Sequence, residues 1–449
     1  MKSSAENKNR NRNQHYVPEN YFKEFSMDGS SICALFKKNG KLETKVAIGG
    51  QSSGEWFYGD AGREEEVTIF DTKYFKNRRD ILDALAEGAT TLTSEQFDTL
   101  LENTQFQRER TLASRRAEHG VRKFYEDFFE PQIEGLENYE SGHSEEATEA
   151  VKVVMKQVFK SFSDPKDSQF LRLVKIDKED VSDLNLVILR NCTEYPFMFS
   201  DAPVVYSNPA LSDFMCGKMG NSNVGLQIFY PLNSVFLALF YDSVVYTLGG
   251  CKSLVIDVAN DKDIHNLNKL QLHEATNSVY FSNPKHAEYA KLLWHEERDN
   301  FELRNKSIES VPEINAYGNV TGRMSFTENE SEPSFYPFLS FIAHDISNSS
   351  LPYREAFWRK NNPPGTVIPK INDQVDRYSD YVNCYFTYAY KRLIEEICKI
   401  RVGLDPLYVD DRICRLANLT PLDHYEWASE AFRRVQEEKP LPWEQNVKS

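Results

Sequence analysis

Between residues 170 and 258 the chain repeats one pattern: short runs with period-two alternation or dense β-branched and aromatic content, separated by turn formers. They fall at 170–176, 184–189, 197–199, 204–206, 226–230, 234–240, 244–248 and 253–258. A parallel crossover needs a dozen or more residues, usually a helix, between the two strands. Most of these runs are too closely spaced for that, so the spacing predicts a mainly antiparallel sheet.

Helical periods flank the strand region. Thr93 with Gln96 three residues on forms a capping-box signature, and Phe97, Leu100, Leu101 and Thr104 follow at 3.6-residue spacing, which predicts a long helix over 93–129. Past Phe106 the apolar regularity gives way to Gln107, Arg108, Arg110, Arg115 and Arg116, with Glu109 the only acid among them. Further helices are expected over 63–88, 144–162, 261–278 and 283–304, and Asn39-Gly40 is the best hairpin signal in the chain. Residues 305–333 are polar and rich in turn formers, the composition of a linker. Beyond them, the apolar spacing from Val375 to Ile400 and a Pro-initiated start at Thr420-Pro421 predict a helical end region. The expected architecture is α+β: a disordered lead over 1–13, a mainly antiparallel sheet packed with helices over 14–304, a linker over 305–333, and an all-helical C-terminal extension over 334–449.

The formal net charge of -15 argues against binding nucleic acid or anionic membranes through overall attraction, though not against a local basic groove. Seven cysteines without a C-x-x-C pair fit a reducing compartment better than a disulfide framework. The polar N-terminus has no apolar signal core, and the most apolar run, 235–241, is far short of a membrane span, so a soluble cytoplasmic protein is expected. P-loop, G-x-G-x-x-G and G-x-S-x-G motifs are all missing, which removes support for the common routes of nucleotide hydrolysis, dinucleotide redox chemistry and serine hydrolysis. His265 and His273 are eight residues apart on one predicted helix, a poor spacing for zinc, and no motif identifies a cofactor.

Five short elements follow one another in order: QHYVPENYF from Gln14, FQRERT from Phe106, SDAPVV from Ser200, FYPLNSVFLAL from Phe229 and LNKLQLHEA from Leu267. Together they resemble a bacterial family known only as domain of unknown function 4238, over about residues 14–285. The matching positions are His15, Tyr16, Val17 and Pro18; Gln107, Arg110 and Thr111; Ser200, Asp201, Pro203 and Val204; Pro231 and Leu232; and Asn268 and Gln271. Phe22 stands where the family usually has Leu, Ala202 where Asn is common, and Leu112 where Pro often follows. The resemblance implies a bacterial, intracellular protein and no agreed chemistry.

If the matched elements converge, His15, Arg110 and Asp201 form a candidate catalytic set, with Gln107, Asn268 and Gln271 as candidate substrate-binding groups. Such a set suits a phosphate-bearing substrate, nucleic acid first among them. His15 would shuttle a proton, Arg110 would clamp the anion, and Asp201 would orient the imidazole or bind a divalent ion. The alternative is a non-catalytic binding or sensor protein, in which the same groups bond main-chain amides and carbonyls and the C-terminal helices meet a partner. A closed, dry network around Arg110 would favour the alternative; a wet concave pocket would favour the enzyme.

Overall fold

The computed structural model describes residues 13–59, 61–116, 178–211, 219–249, 253–301, 306–314, 320–330, 335–344 and 354. Of the expected lead over 1–13, residues 1–12 lie outside these residues and Asn13 begins the first strand. The helix over 144–162, the strand over 170–176 and the helices after residue 375 also lie outside, as does the part of the 93–129 helix beyond 116.

Two sheets carry the fold. The larger is built from β5 (Asn185–Asn191), β7 (Val205–Ser207), β8 (Gln227–Pro231), β9 (Phe236–Tyr241) and β11 (Val255–Val258), in the order β11-β5-β9-β8-β7. All its pairs are antiparallel except β11 with β5, which is parallel. The smaller contains β2 (Ser31–Phe36), β3 (Lys41–Ala47), β6 (Phe199–Ser200) and β12 (Ser278–Phe281), in the order β3-β2-β12-β6, antiparallel throughout. β1 (Asn13–His15) pairs separately with β4 (Ser53–Glu55). The α+β class with mainly antiparallel sheets expected from strand crowding is the one observed.

Alternation along the strands builds a core on each face of the larger sheet. Ile188, Tyr206, Ile228, Tyr230, Ala238 and Phe240 face one way. They pack with α1 (Glu19–Phe25), α2 (Ala61–Ala86) and α3 (Ser94–Glu109). Val187, Leu189, Val205, Phe229, Leu237 and Leu239 face the other way, toward Ile264, Leu267 and Leu270 of α4 (Asp261–Glu274). A third cluster fills the space between the smaller sheet and α5 (Ala287–Glu297) with Cys33, Leu35, Val279, Phe281, Ala290 and Leu293.

α3 starts where the sequence places it. Thr93 Oγ1 accepts from Gln96 N at 3.1 Å and Gln96 Oε1 accepts from Thr93 N at 3.0 Å, which closes the capping box. The helix stops at Glu109, with Arg110 as its C-cap. Gly40 ends the turn between β2 and β3 in the left-handed region at φ 66°, as the Asn-Gly signal requires.

The stretch expected to be a linker contains an antiparallel hairpin, β13 (Lys306–Ile314) with β14 (Val320–Glu330). After it the chain returns to the main body. β15 (Ile342–His344) pairs with β10 (Tyr246–Leu248), Leu339 is buried in the α4-side core, and Ser340 donates to Asp263 through its amide at 2.8 Å and its hydroxyl at 2.5 Å. Among the described residues, no helix is long and apolar enough to cross a membrane.

Candidate functional site

The helix-borne guanidinium sits where α2, α3 and the N-terminal strand meet. Asp71, on the same face of α2 as Val67, Tyr74 and Arg78, takes Arg110 end-on: Nη1 donates to Oδ1 at 2.6 Å and Nη2 to Oδ2 at 3.2 Å. Arg110 Nε donates to the Tyr16 carbonyl at 2.9 Å, and Nη2 also donates to the His15 carbonyl at 3.3 Å. Gln107, one turn earlier, reaches the same Tyr16 carbonyl through Nε2 at 2.9 Å. A guanidinium has five N–H donors; four of these hydrogen bonds end on the protein's own chain. The Arg110 side chain is 0% exposed.

Gln107, Arg110 and the His-Tyr-Val-Pro segment are therefore neighbours, as their ordered matches suggest. The contact uses the His15 carbonyl and not its ring. The His15 imidazole turns the other way, with Nε2 3.2 Å from the Gly49 carbonyl and 3.7 Å from Glu19 Oε1. Burial holds its pKa below the usual histidine value, against the opposing pull of Glu19. A wholly buried amide in the preceding position, Gln14, accepts from Tyr58 N at 2.5 Å and fixes the 56–59 turn.

Asp201, Asn268 and Gln271 form a second group with a different task. The chain leaves the smaller sheet at β6 and enters the larger one at β7, so Ser-Asp-Ala-Pro is the crossing between sheets. Asp201 accepts from Thr276 N and Asn277 N at 2.8 Å each and donates its own amide to the Ser278 carbonyl at 3.0 Å, gripping the α4–β12 turn. Gln271 holds the crossing from α4: its Oε1 accepts from Ser200 N at 2.9 Å and its Nε2 donates to the Pro203 carbonyl at 2.9 Å. Asn268, one turn earlier on the same face, accepts from Met198 N at 2.8 Å and donates to the Pro196 carbonyl at 2.9 Å.

Burial raises the Asp201 carboxyl to about 6 despite the backbone amides that favour its ionised form. The Asp201 oxygens meet the Thr276 and Asn277 amides, while the His15 ring meets the Gly49 carbonyl and Glu19. Tyr16 joins the two groups. Its carbonyl serves Arg110 and Gln107, while its hydroxyl faces Ser52 and Asn277 and lies in the field of Asp201.

The flanking arginines are packed on aromatic rings. Arg108 lies 3.8 Å from the Tyr206 ring centroid and pairs with Glu109 at 2.9 Å, and Arg115 lies 3.7 Å from that of Phe57. His265 and His273 diverge: one meets the Tyr289 hydroxyl at 3.1 Å and the other Glu297 at 2.9 Å. Among the described residues, no group of three or more His, Cys, Asp or Glu is placed to hold a metal ion. Glu64 is a group that sequence reasoning passed over: burial raises it to about 7, and its Oε2 is buried near the Arg110–Asp71 pair with no hydrogen-bond partner among the described residues. Asp71 was also hidden, as one acid among many on an acidic helix. The helical spacing of Val67, Asp71, Tyr74 and Arg78 is the signal that marks its face as inward.

No curated protein and no solved structure matches this chain. The model of one family, described as a protein of unknown function (DUF4238), matches residues 13–285, which span both polar groups, the two sheets and α1 to α4. The chain belongs to that family.

Proposed function

We propose that this protein is a non-catalytic binding module, in which His15, Arg110, Asp201, Gln107, Asn268 and Gln271 are the internal frame that ties the N-terminal strand and the sheet crossing to the helices. The observation that supports this reading is the disposition of Arg110: its side chain is buried, four hydrogen bonds go to Asp71, Tyr16 and His15, and none of those donors is left to clamp a substrate anion. Asp201 supports it in the same way, since both its oxygens are taken by backbone amides. Chemistry on a phosphate ester would need these bonds broken first, at the cost of a partly buried, unpaired Asp71.

The test is a turnover assay on the purified full chain, with phosphomonoesters, phosphodiesters, single-stranded RNA and single-stranded DNA as substrates. The reading expects no product above that formed by His15→Ala. Turnover that disappears in His15→Ala, while the unfolding midpoint stays that of the wild type, would overturn it.

A further inference from the structure

Two turns beyond Asp71 on α2, Arg78 is buried at 2% exposure, and its Nε and Nη2 have no hydrogen-bond partner among the described residues. No carboxylate among the described residues pairs with it. Its guanidinium lies 4.9 Å from the centroid of the Tyr21 ring and 6.0 Å from that of Phe75. The Tyr21 ring is stacked in turn on Tyr230 at 5.5 Å, and the Tyr230 hydroxyl lies beside the guanidinium and within 3.3 Å of Asn103 Oδ1. Burying a cation without a counter-charge is unfavourable, and such groups are normally paired.

The identity of the two unmet donors narrows what could meet them. Nε–H and the Nη2–H on the same side of the guanidinium are parallel and form the side-on fork that matches the two oxygens of an oxyanion. Two other arginines of this chain fill that fork with a carboxylate. Arg190 donates from Nε and Nη2 to Asp257 at 2.6 and 2.7 Å, and Arg354 from the same two atoms to Asp183 at 2.8 and 3.1 Å. In Arg78 the same two atoms are buried and meet no carboxylate among the described residues.

We propose that Arg78 is the anchor of a binding site for a small carboxylate, held side-on by Nε and Nη2 against the Tyr21 and Tyr230 rings. A monocarboxylate matches the single positive charge, whereas a phosphate would bring up to two negative charges into an aromatic surround that offers one cation. This site is separate from the Arg110 and Asp201 groups and stands or falls independently of their role.

The full chain, exchanged into buffer free of carboxylate and phosphate, is titrated with sodium formate, acetate, phosphate or chloride at matched ionic strength, with the unfolding temperature as readout. Formate or acetate should raise the wild-type value saturably, by about 2 °C or more once the site is filled. Chloride should not, and Arg78→Met should not respond. Arg78→Lys keeps the charge but loses the fork, so it should also fail to respond, and it serves as the control if Arg78→Met does not fold. A wild type that shows no saturable response to carboxylate would overturn the proposal. So would an equal response to chloride, a larger saturable response to phosphate, or a response that survives in Arg78→Lys.

Discussion

At the scale of single residues, the polar positions differ in how their burial couples to pH. Asp201 is held at about 6 in the folded protein against an ordinary value of 3.8. A raised carboxyl binds more protons folded than unfolded, so its contribution is most favourable below pH 4 and is lost as pH rises through about 6. The loss is on the order of 3 kcal/mol. Asp201→Asn should therefore show a flatter stability profile between pH 4 and 6 than the wild type, measured by urea unfolding at each pH. Identical slopes in the two proteins would refute the assignment. The buried His15 works in the opposite sense: its lowered pKa makes its contribution present above the ordinary histidine range and lost as pH falls. Burial lowers His265 and His273 as well, so the buried histidines add to destabilisation below pH 6, whereas Asp201 does not.

Among the elements, those whose signals are local were legible. The capping box fixed the start of α3, and the strand runs from 184 onward emerged within a few residues of their observed bounds, because alternation reports a buried face directly. Gly40 is a case where a turn signal understates the constraint. A methyl group there would lie 2.7 Å from the Trp294 ring, on a backbone already at φ 66°. The same indole donates from Nε1 to the Lys37 carbonyl at 2.7 Å, so α5 is seated on the β2–β3 turn through one side chain. Gly40→Ala should cost about 1–2 kcal/mol from the backbone alone and more from displacing the indole, whereas Gly29→Ala, with open space around it, should lose only the backbone part. Comparing the two urea midpoints separates these contributions. What local pattern could not show was that α3 ends at Glu109, since Arg108 and Arg110 are strong helix formers and the stop is set by tertiary contacts to Asp71 and Tyr16.

For the molecule as a whole, the two polar groups that match the family sit at two joints of the described fold. One secures the strand that enters the fold, and the other secures the crossing between the sheets. Sequence spacing placed Gln107 with Arg110 and Asn268 with Gln271 on shared helix faces, but spacing along a helix says nothing about whether that face meets a ligand or a loop. The partner that decides the matter, Asp71, is 39 positions from Arg110 and carries no motif. The return of residues 335–344 to α4 and β10 was equally invisible, because Asp263 and Ser340 are joined only by folding.

The most direct test of the frame is a double-mutant cycle on the pair that anchors it, with Arg110→Ala, Asp71→Ala and the double variant unfolded in urea. Removing one partner of a buried ion pair costs about 3–5 kcal/mol because it strands the other, so each single variant should lose that much, and the double variant clearly less than their sum. Residues kept for chemistry rather than for structure behave otherwise: their replacement is commonly neutral or stabilising. An Arg110→Ala protein with the wild-type midpoint, or a cycle with no coupling, would contradict the account.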